Sequence, residues 1–204
     1  MACCIRSMLK YADGENDIDI DLIEKYIKSH VVFDGGIGIG ESHAGYGFCG
    51  LASLKLIGKL KIDEWDKTLD WLAHRQLDFN KYNDDLINYE FLDQVDKGAH
   101  NGRENKFGDT CYSYWCAGAL SLFNKEFFIN DELNELYLLT KTQNLIIGGF
   151  AKTDSDDPDP YHSFLGLAAL TIIDSKTKKL LNPIDPTVSI TQTATNFLKS
   201  LYRS

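Results

Sequence analysis

The chain has 204 residues, a formal net charge of −9, 44% hydrophobic and 25% charged residues, and only four prolines. That balance excludes disorder and collagen-like repeats and fits one domain, residues 1–204, with a sizeable core. An acidic chain without a Lys/Arg run or an aromatic-basic stripe is also not built to hold nucleic acid.

The periodicity is helical almost throughout. From Asp19 to His30, apolar Leu22, Ile23, Tyr26 and Ile27 recur at helical spacing, with aspartates at the start and lysines near the end to suit the dipole. The spacing predicts a second helix from about His43 to Ile57, kept slim by Ala44, Gly45, Gly50, Ala52 and Ser53. Small residues cost helix propensity, so close approach of a neighbour or ligand is their reason. Asp63 is placed to cap a third helix through Trp65, Leu69, Leu72 and Gln76. The Asp/Asn-rich stretch Asp78–Asp96 reads as an inserted surface excursion. Further helices are expected over Cys111–Phe123, Asp131–Gln143, His162–Ile173 and Thr191–Tyr202. Strand signals are weak, and Pro183 and Pro186 interrupt Leu180–Ile190.

Three helices share an entrance. Gly-rich loops (Phe33-Asp34-Gly35-Gly36-Ile37-Gly38, Gly98-Ala99-His100-Asn101-Gly102-Arg103 and Gly148-Gly149-Phe150) each precede a helix carrying a similar apolar phrase around Leu54, Leu120 or Leu170. This is a degenerate helical-hairpin repeat, whose units bury their faces only by stacking. No apolar run approaches the roughly 20 residues of a membrane helix, and Met1-Ala2-Cys3-Cys4-Ile5-Arg6 is unlike a signal peptide. The expectation is a cytoplasmic protein without membrane insertion, its five irregularly spaced cysteines reduced.

Asp109, Cys111 and His162 carry the most informative chemistry, because carboxylate, thiolate and imidazole are all zinc ligands and three of them leave a tetrahedral position open. Residues two apart on a helix point about 200° from each other, so Asp109 and Cys111 converge only if Asp109 lies in the loop and Cys111 on the first turn. A capping aspartate beside a buried cysteine is the alternative. Arg103, Lys106, Tyr112 and His43 form a donor set suited to a phosphate or diphosphate. Taken singly, the two cations read as solvated charges and His43 as a helix-start histidine bonded to backbone. Lys152 precedes the acidic run Asp154–Asp159, where a surface salt bridge is the plain reading, and Trp115 reads as a core aromatic. Gly36-Ile37-Gly38-Ile39-Gly40 matches neither a P-loop nor a dinucleotide fingerprint. No papain-like or caspase-like pattern surrounds Cys111, which disfavours a cysteine protease.

The order of three motifs resembles protein prenyltransferase beta subunits. They are Glu41-Ser42-His43-Ala44-Gly45-Tyr46-Gly47-Phe48-Cys49-Gly50-Leu51-Ala52-Ser53-Leu54; Gly102-Arg103-Glu104-Asn105-Lys106 followed by Asp109-Thr110-Cys111-Tyr112-Ser113-Tyr114-Trp115; and Gly148-Gly149-Phe150 leading to Asp159-Pro160-Tyr161-His162. The resemblance covers nearly the whole chain outside Asp78–Asp96. It implies an all-α fold, an α/α toroid of helical hairpins, wrapped by an alpha subunit of helical repeats. It implies zinc held by Asp109, Cys111 and His162, diphosphate contacts from His43, Arg103, Lys106 and Tyr112, and an isoprenoid channel lined by Gly45 and Trp115.

Lys152, ten residues before His162, discriminates within the family. The farnesyl and Rab-directed enzymes carry an aspartate there that helps to hold magnesium, whereas the type I geranylgeranyl enzyme carries lysine. The resemblance therefore implies geranylgeranyl diphosphate as donor, C-a-a-X proteins such as small GTPases as acceptors, Lys152 supporting the leaving diphosphate, and no requirement for magnesium. Asp109-Thr110-Cys111, with threonine in the middle, points the same way. Farnesyltransferase and a non-catalytic helical-repeat module are the alternatives. Tyr46 is closer to the farnesyltransferase choice, and the Gly35–Glu41 loop is about three residues shorter than its family counterpart. The likeness begins inside a family helix at Met1-Ala2-Cys3-Cys4-Ile5, leaving the toroid incomplete at the N-terminus. The upstream third or more, with the arginine that meets the substrate carboxylate, has no counterpart here. Such an open ring is expected to expose apolar inner faces and to associate or be poorly stable alone.

Overall fold

A computed structural model of the chain describes residues 1–9, 17–78, 94–173 and 177–201. In chain order it builds α1 (Ala2–Met8), α2 (Ile20–Ser29), a minimal hairpin of β1 (Gly38–Ile39) and β2 (Glu41–Ser42), α3 (Ala44–Leu56) and α4 (Asp66–Ala73). Then come α5 (Thr110–Ser121), α6 (Asp131–Tyr137), whose end widens into a π-helical turn over Leu138–Thr142, and α7 (Pro160–Ile172). A second hairpin, β3 (Ile184–Asp185) with β4 (Ile190–Thr191), leads into α8 (Gln192–Leu201).

The helices form two layers. α3, α5 and α7 are apolar on nearly every side and stand side by side, α5 packed between the other two and α1 against α3. A helix with no polar stripe must be covered all round. α2, α4 and α8 are amphipathic. α4 turns Leu69, Trp71 and Leu72 inward and α2 turns Ile20, Ile23 and Ile27, whereas Leu22 and Tyr26 of the expected α2 stripe, and Phe197 and Leu201 of α8, are exposed. Leu54, Leu120 and Leu170, each the eleventh residue of its inner helix, are buried to within 1% of completeness, so the leucine phrases occupy one structural position.

The repeat extends to the backbone. Each loop leading from α2, α4 and α6 to the next inner helix carries an equivalent antiparallel bridge: Val31 with Ile37, Gln76 with His100, Gln143 with Phe150. The capping residue of the next inner helix then donates its N–H to that bridge: His43 to Ile37 O, Asp109 to His100 O, Asp159 to Phe150 O. Neighbouring repeats are stitched together by Ala44 N–H to Gly102 O and Thr110 N–H to Lys152 O. Together these bonds satisfy N–H groups that a helix start leaves free and bring the N-termini of α3, α5 and α7 to one rim.

Several expectations need correction. Asp63 lies inside a 3-10 turn, Ile62–Glu64, and α4 starts after it behind Trp65, which supplies no side-chain cap. Gln76 lies past the end of α4, in the bridge to His100. α7 begins two residues earlier than the apolar spacing suggests, with Pro160 in its first turn, where proline's missing N–H costs nothing. The two short hairpins are strands that the sequence signals missed. The expected excursion falls largely on residues 79–93, outside the described residues; on either side of it Leu77 and Gly98–Ala99 are backbone-paired, and Asp96 is buried, accepting Gly108 N–H. All five cysteines are free thiols.

Candidate metal centre and adjoining cavity

The rim places three donors together. Asp109 caps α5 by accepting Cys111 N–H at 2.9 Å, which puts the carboxylate just outside the helix and the thiol on its first turn. His162 comes across from the first turn of α7, with Nε2 3.3 Å from Asp109 Oδ1. One ligand atom from each of Asp109, Cys111 and His162 lies within 4.8 Å of the others.

Asp159 completes the arrangement. It caps α7 by accepting Tyr161 N–H and His162 N–H, and its other oxygen accepts from His162 Nδ1 at 2.5 Å. A histidine that donates through Nδ1 has a bare Nε2 lone pair, which is the form a metal takes. The hydrogen bonds from His162, side chain first and then backbone, hold the Asp159 carboxyl below the usual range. Burial first, then the adjacent charge of Asp109, pushes the Cys111 thiol well up. A divalent cation would reverse that logic and hold the sulfur as thiolate. Carboxylate, thiol and bare imidazole nitrogen, already gathered with an oriented second contact, fit zinc.

A cavity of about 590 Å³ adjoins the centre, with Asp109 and Tyr112 in its wall. Arg103, Lys106 and Lys152 line it as well. Among the described residues Lys152 has no ion-pair partner within 4 Å, so the expected surface salt bridge to Asp154–Asp159 is not formed. Arg103 is paired with Glu41 at 2.6 Å. His43 caps α3: its Nδ1 accepts Gly45 N–H at 3.1 Å and Tyr46 N–H at 3.4 Å. The ring proton is then on Nε2, 3.1 Å from Tyr112 Oη, and burial, followed by the Arg103 charge, keeps the imidazole neutral by lowering its pKa. The Tyr112 hydroxyl is pushed up to about 12, by burial first and then by Cys111 and Asp109, so it remains an O–H donor.

A family model described as the prenyltransferase alpha-alpha toroid domain matches residues 1–190. The chain belongs to this family.

Among its relatives, the geranylgeranyl transferase type-1 subunit beta of Arabidopsis thaliana is 27% identical over 191 residues, covering 92% of this chain and 48% of the relative. The type-2 subunit beta of Saccharomyces cerevisiae is 30% identical over 173 residues, covering 82% and 46%. The solved structure of Candida albicans protein geranylgeranyltransferase-I complexed with GGPP superposes with a TM-score of 0.89 at 37% identity, over 99% of this chain and 56% of that one. The chain thus spans about half the length of the relatives it matches, and it is a prenyltransferase beta-subunit homologue with the family's toroid architecture.

In this toroid, Gly45 and Trp115 face each other: a Cβ on Gly45 would lie 3.8 Å from Trp115 Cδ1. Trp115 is half-buried and packs on Phe48, ring centroids 5.1 Å apart, so it borders the inner face and is not simply a core aromatic. Tyr46, Tyr161, Phe164 and Leu167 are each about half exposed. No helix among the described residues is long and apolar enough to cross a membrane. Two contacts escaped the sequence reading. Asp159 was hidden because the apolar spacing starts α7 at His162, yet an aspartate before a proline is a legible cap signal. Glu41, 62 residues from its partner Arg103, left no local signal.

Proposed function

We propose that this chain acts within a type I protein geranylgeranyltransferase as its beta subunit, beside an alpha subunit of helical repeats in the cytoplasm. It transfers a geranylgeranyl group from geranylgeranyl diphosphate to the cysteine of a C-a-a-X protein. The observation that carries the reading is the shared wall: Asp109 belongs both to the three-donor centre and to the cation-lined cavity. A thiol nucleophile and a departing diphosphate need such adjacency.

Asp109, Cys111 and His162 would hold zinc, and zinc when bound keeps a substrate thiol deprotonated at neutral pH. The chain's own groups do the rest. Asp159 orients His162. Arg103, Lys106 and Lys152 place positive charge where diphosphate charge develops as the allylic carbon–oxygen bond breaks. His43 donates to Tyr112 and so turns the tyrosyl proton toward the cavity, which makes His43 an orienting group in the ligand-free site. Gly45 and Trp115 leave an apolar strip for the isoprenoid. Lys152 favours the geranylgeranyl enzyme working without magnesium over the farnesyl one, and supplies positive charge to the leaving diphosphate itself.

The test is reconstitution. The chain, with and without a family alpha subunit, is assayed for transfer from geranylgeranyl and farnesyl diphosphates to peptides ending C-a-a-L, with zinc measured by mass spectrometry. Zinc-dependent geranylgeranyl transfer supports the reading. Zinc bound at one equivalent with no transfer in either assembly leaves a helical-repeat binding module in its place.

A further inference from the structure

Arg103, one of the cations of the cavity, is held by a carboxylate that the proposed reaction does not use. Its Nη1 donates to Glu41 Oε1 at 2.6 Å, across two loops that belong to neighbouring hairpins. Both ends of this pair stand on braced backbone. Glu41 sits on the β1–β2 hairpin opposite Ile39, around Gly40 at φ +84°. The hairpin is closed so tightly that a Cβ on Gly38 would overlap the Glu41 carbonyl. Asp34 anchors its far side by accepting Ser42 Oγ–H and Gly36 N–H. On the other loop, the carbonyl of Gly102, next to Arg103, accepts Ala44 N–H. Glu41 therefore meets Arg103 from a fixed position.

The pair is also easily broken. Its side chains are 43% and 63% exposed, so water screens the attraction and its net worth is small. A diphosphate offers several charged oxygens to the same guanidinium and can be bound in a fork.

We propose that Glu41 is a stand-in anion for Arg103: it holds the guanidinium at the cavity mouth in the free site, is exchanged for diphosphate on binding, and so weakens the site's grip on that group. The proposal rests on the diphosphate reading above and adds a positioning residue to it. Competition for Arg103 and direct repulsion of the incoming anion act in the same direction. Removing the carboxylate must therefore tighten binding, which loss of a merely structural contact would not do.

The experiment is calorimetric titration of inorganic pyrophosphate into the full chain at fixed ionic strength, for wild type, E41Q, R103A and the double variant, with thermal melts to confirm folding. E41Q should tighten binding roughly three- to tenfold, and Glu41→Ala should do the same. In the Arg103→Ala background the gain from E41Q should shrink to about twofold or less, because competition is gone and only repulsion remains. Unchanged or weaker binding by E41Q and Glu41→Ala overturns the proposal, as does an undiminished gain without Arg103. If wild type and E41Q alike bind no pyrophosphate, the diphosphate reading itself falls, and this inference with it.

Discussion

Asp159 accepts from His162 Nδ1 at 2.5 Å, which leaves Nε2, 3.3 Å from Asp109, as the ring nitrogen free to accept a metal. Asp159→Asn keeps an oxygen to cap Tyr161 and His162 N–H but loses the charge that orients the imidazole. Zinc affinity should fall about 10- to 100-fold, measured by competition with a chromophoric chelator. The melting temperature of the metal-free variant should stay close to wild type. Unchanged zinc affinity would show that Asp159 is only a cap.

Burial and Asp109 together raise the Cys111 thiol, and burial alone raises Cys116 to about 12. The sign follows from linkage. A thiol raised in the fold is protonated there while the unfolded chain ionises, so its stabilising effect is complete below the ordinary thiol pKa and is lost as pH rises toward the folded value. The metal-free chain should therefore lose melting temperature above about pH 8.5. Zinc binding at pH 7.5 should release close to one proton, from Cys111, read from calorimetry in buffers of different ionisation enthalpy. Cys111→Ser should abolish that release and leave the Cys116 part of the alkaline decline.

The inner helices were legible because their small-apolar phrases recur, and their N-terminal groups were legible because a first turn puts Asp109 and Cys111 on one side despite a spacing of two. What the sequence withheld depends on contacts across the repeat. The Glu41–Arg103 pair joins different loops, and the N–H bonds from Ala44 to Gly102 and Thr110 to Lys152 involve backbone that any residue offers. The short hairpins escaped for a related reason: two-residue strands have no alternation to read, and turn geometry sets their register.

Lys152 stands in the cavity wall with no ion-pair partner among the described residues within 4 Å. Lys152→Asp removes a fixed positive charge and adds a ligand for a hard cation. In the reconstituted heterodimer, the wild-type rate should be indifferent to magnesium. The variant should be slow without it and recover as magnesium is added. A wild-type rate that already requires magnesium, or a variant indifferent to it, would remove Lys152 from this role.

Gly98 and Gly148 make a matched pair for separating backbone strain from crowding. Both have positive φ, +90° and +83°, but a Cβ on Gly98 would lie 2.1 Å from Leu133 O, while one on Gly148 meets nothing within 4 Å. Gly148→Ala should cost about 1 kcal/mol, the price of the left-handed conformation. Gly98→Ala should cost more, about 2–4 kcal/mol, because α6 must also move and the bond from Asn134 Nδ2 to Gly98 O goes with it. Urea unfolding of both variants measures the difference, and equal costs would mean that the loop relaxes freely away from α6.

His100 lies fully buried between Asn134 and the loop that presents Asp109, and its backbone carbonyl accepts the Asp109 N–H. Burial, and after it the charge of Arg75, lowers its pKa from 6.5 to about 3. The unfolded chain therefore binds a proton that the fold refuses between those values, so stability is complete above pH 6.5 and falls as pH drops through the window. The limiting slope for one such group is about 1.4 kcal/mol per pH unit. His100→Asn keeps an acceptor facing Asn134 Nδ2 and cannot titrate. Between pH 6.5 and 4.5, above most carboxylate titration, its unfolding free energy should fall less steeply than that of wild type by up to that slope. His43, lowered in the same direction, contributes to both proteins alike and drops out of the difference. Parallel slopes would mean that the fold opens around His100 to let it charge, and that the loop carrying Asp109 is less rigid than its hydrogen bonds imply.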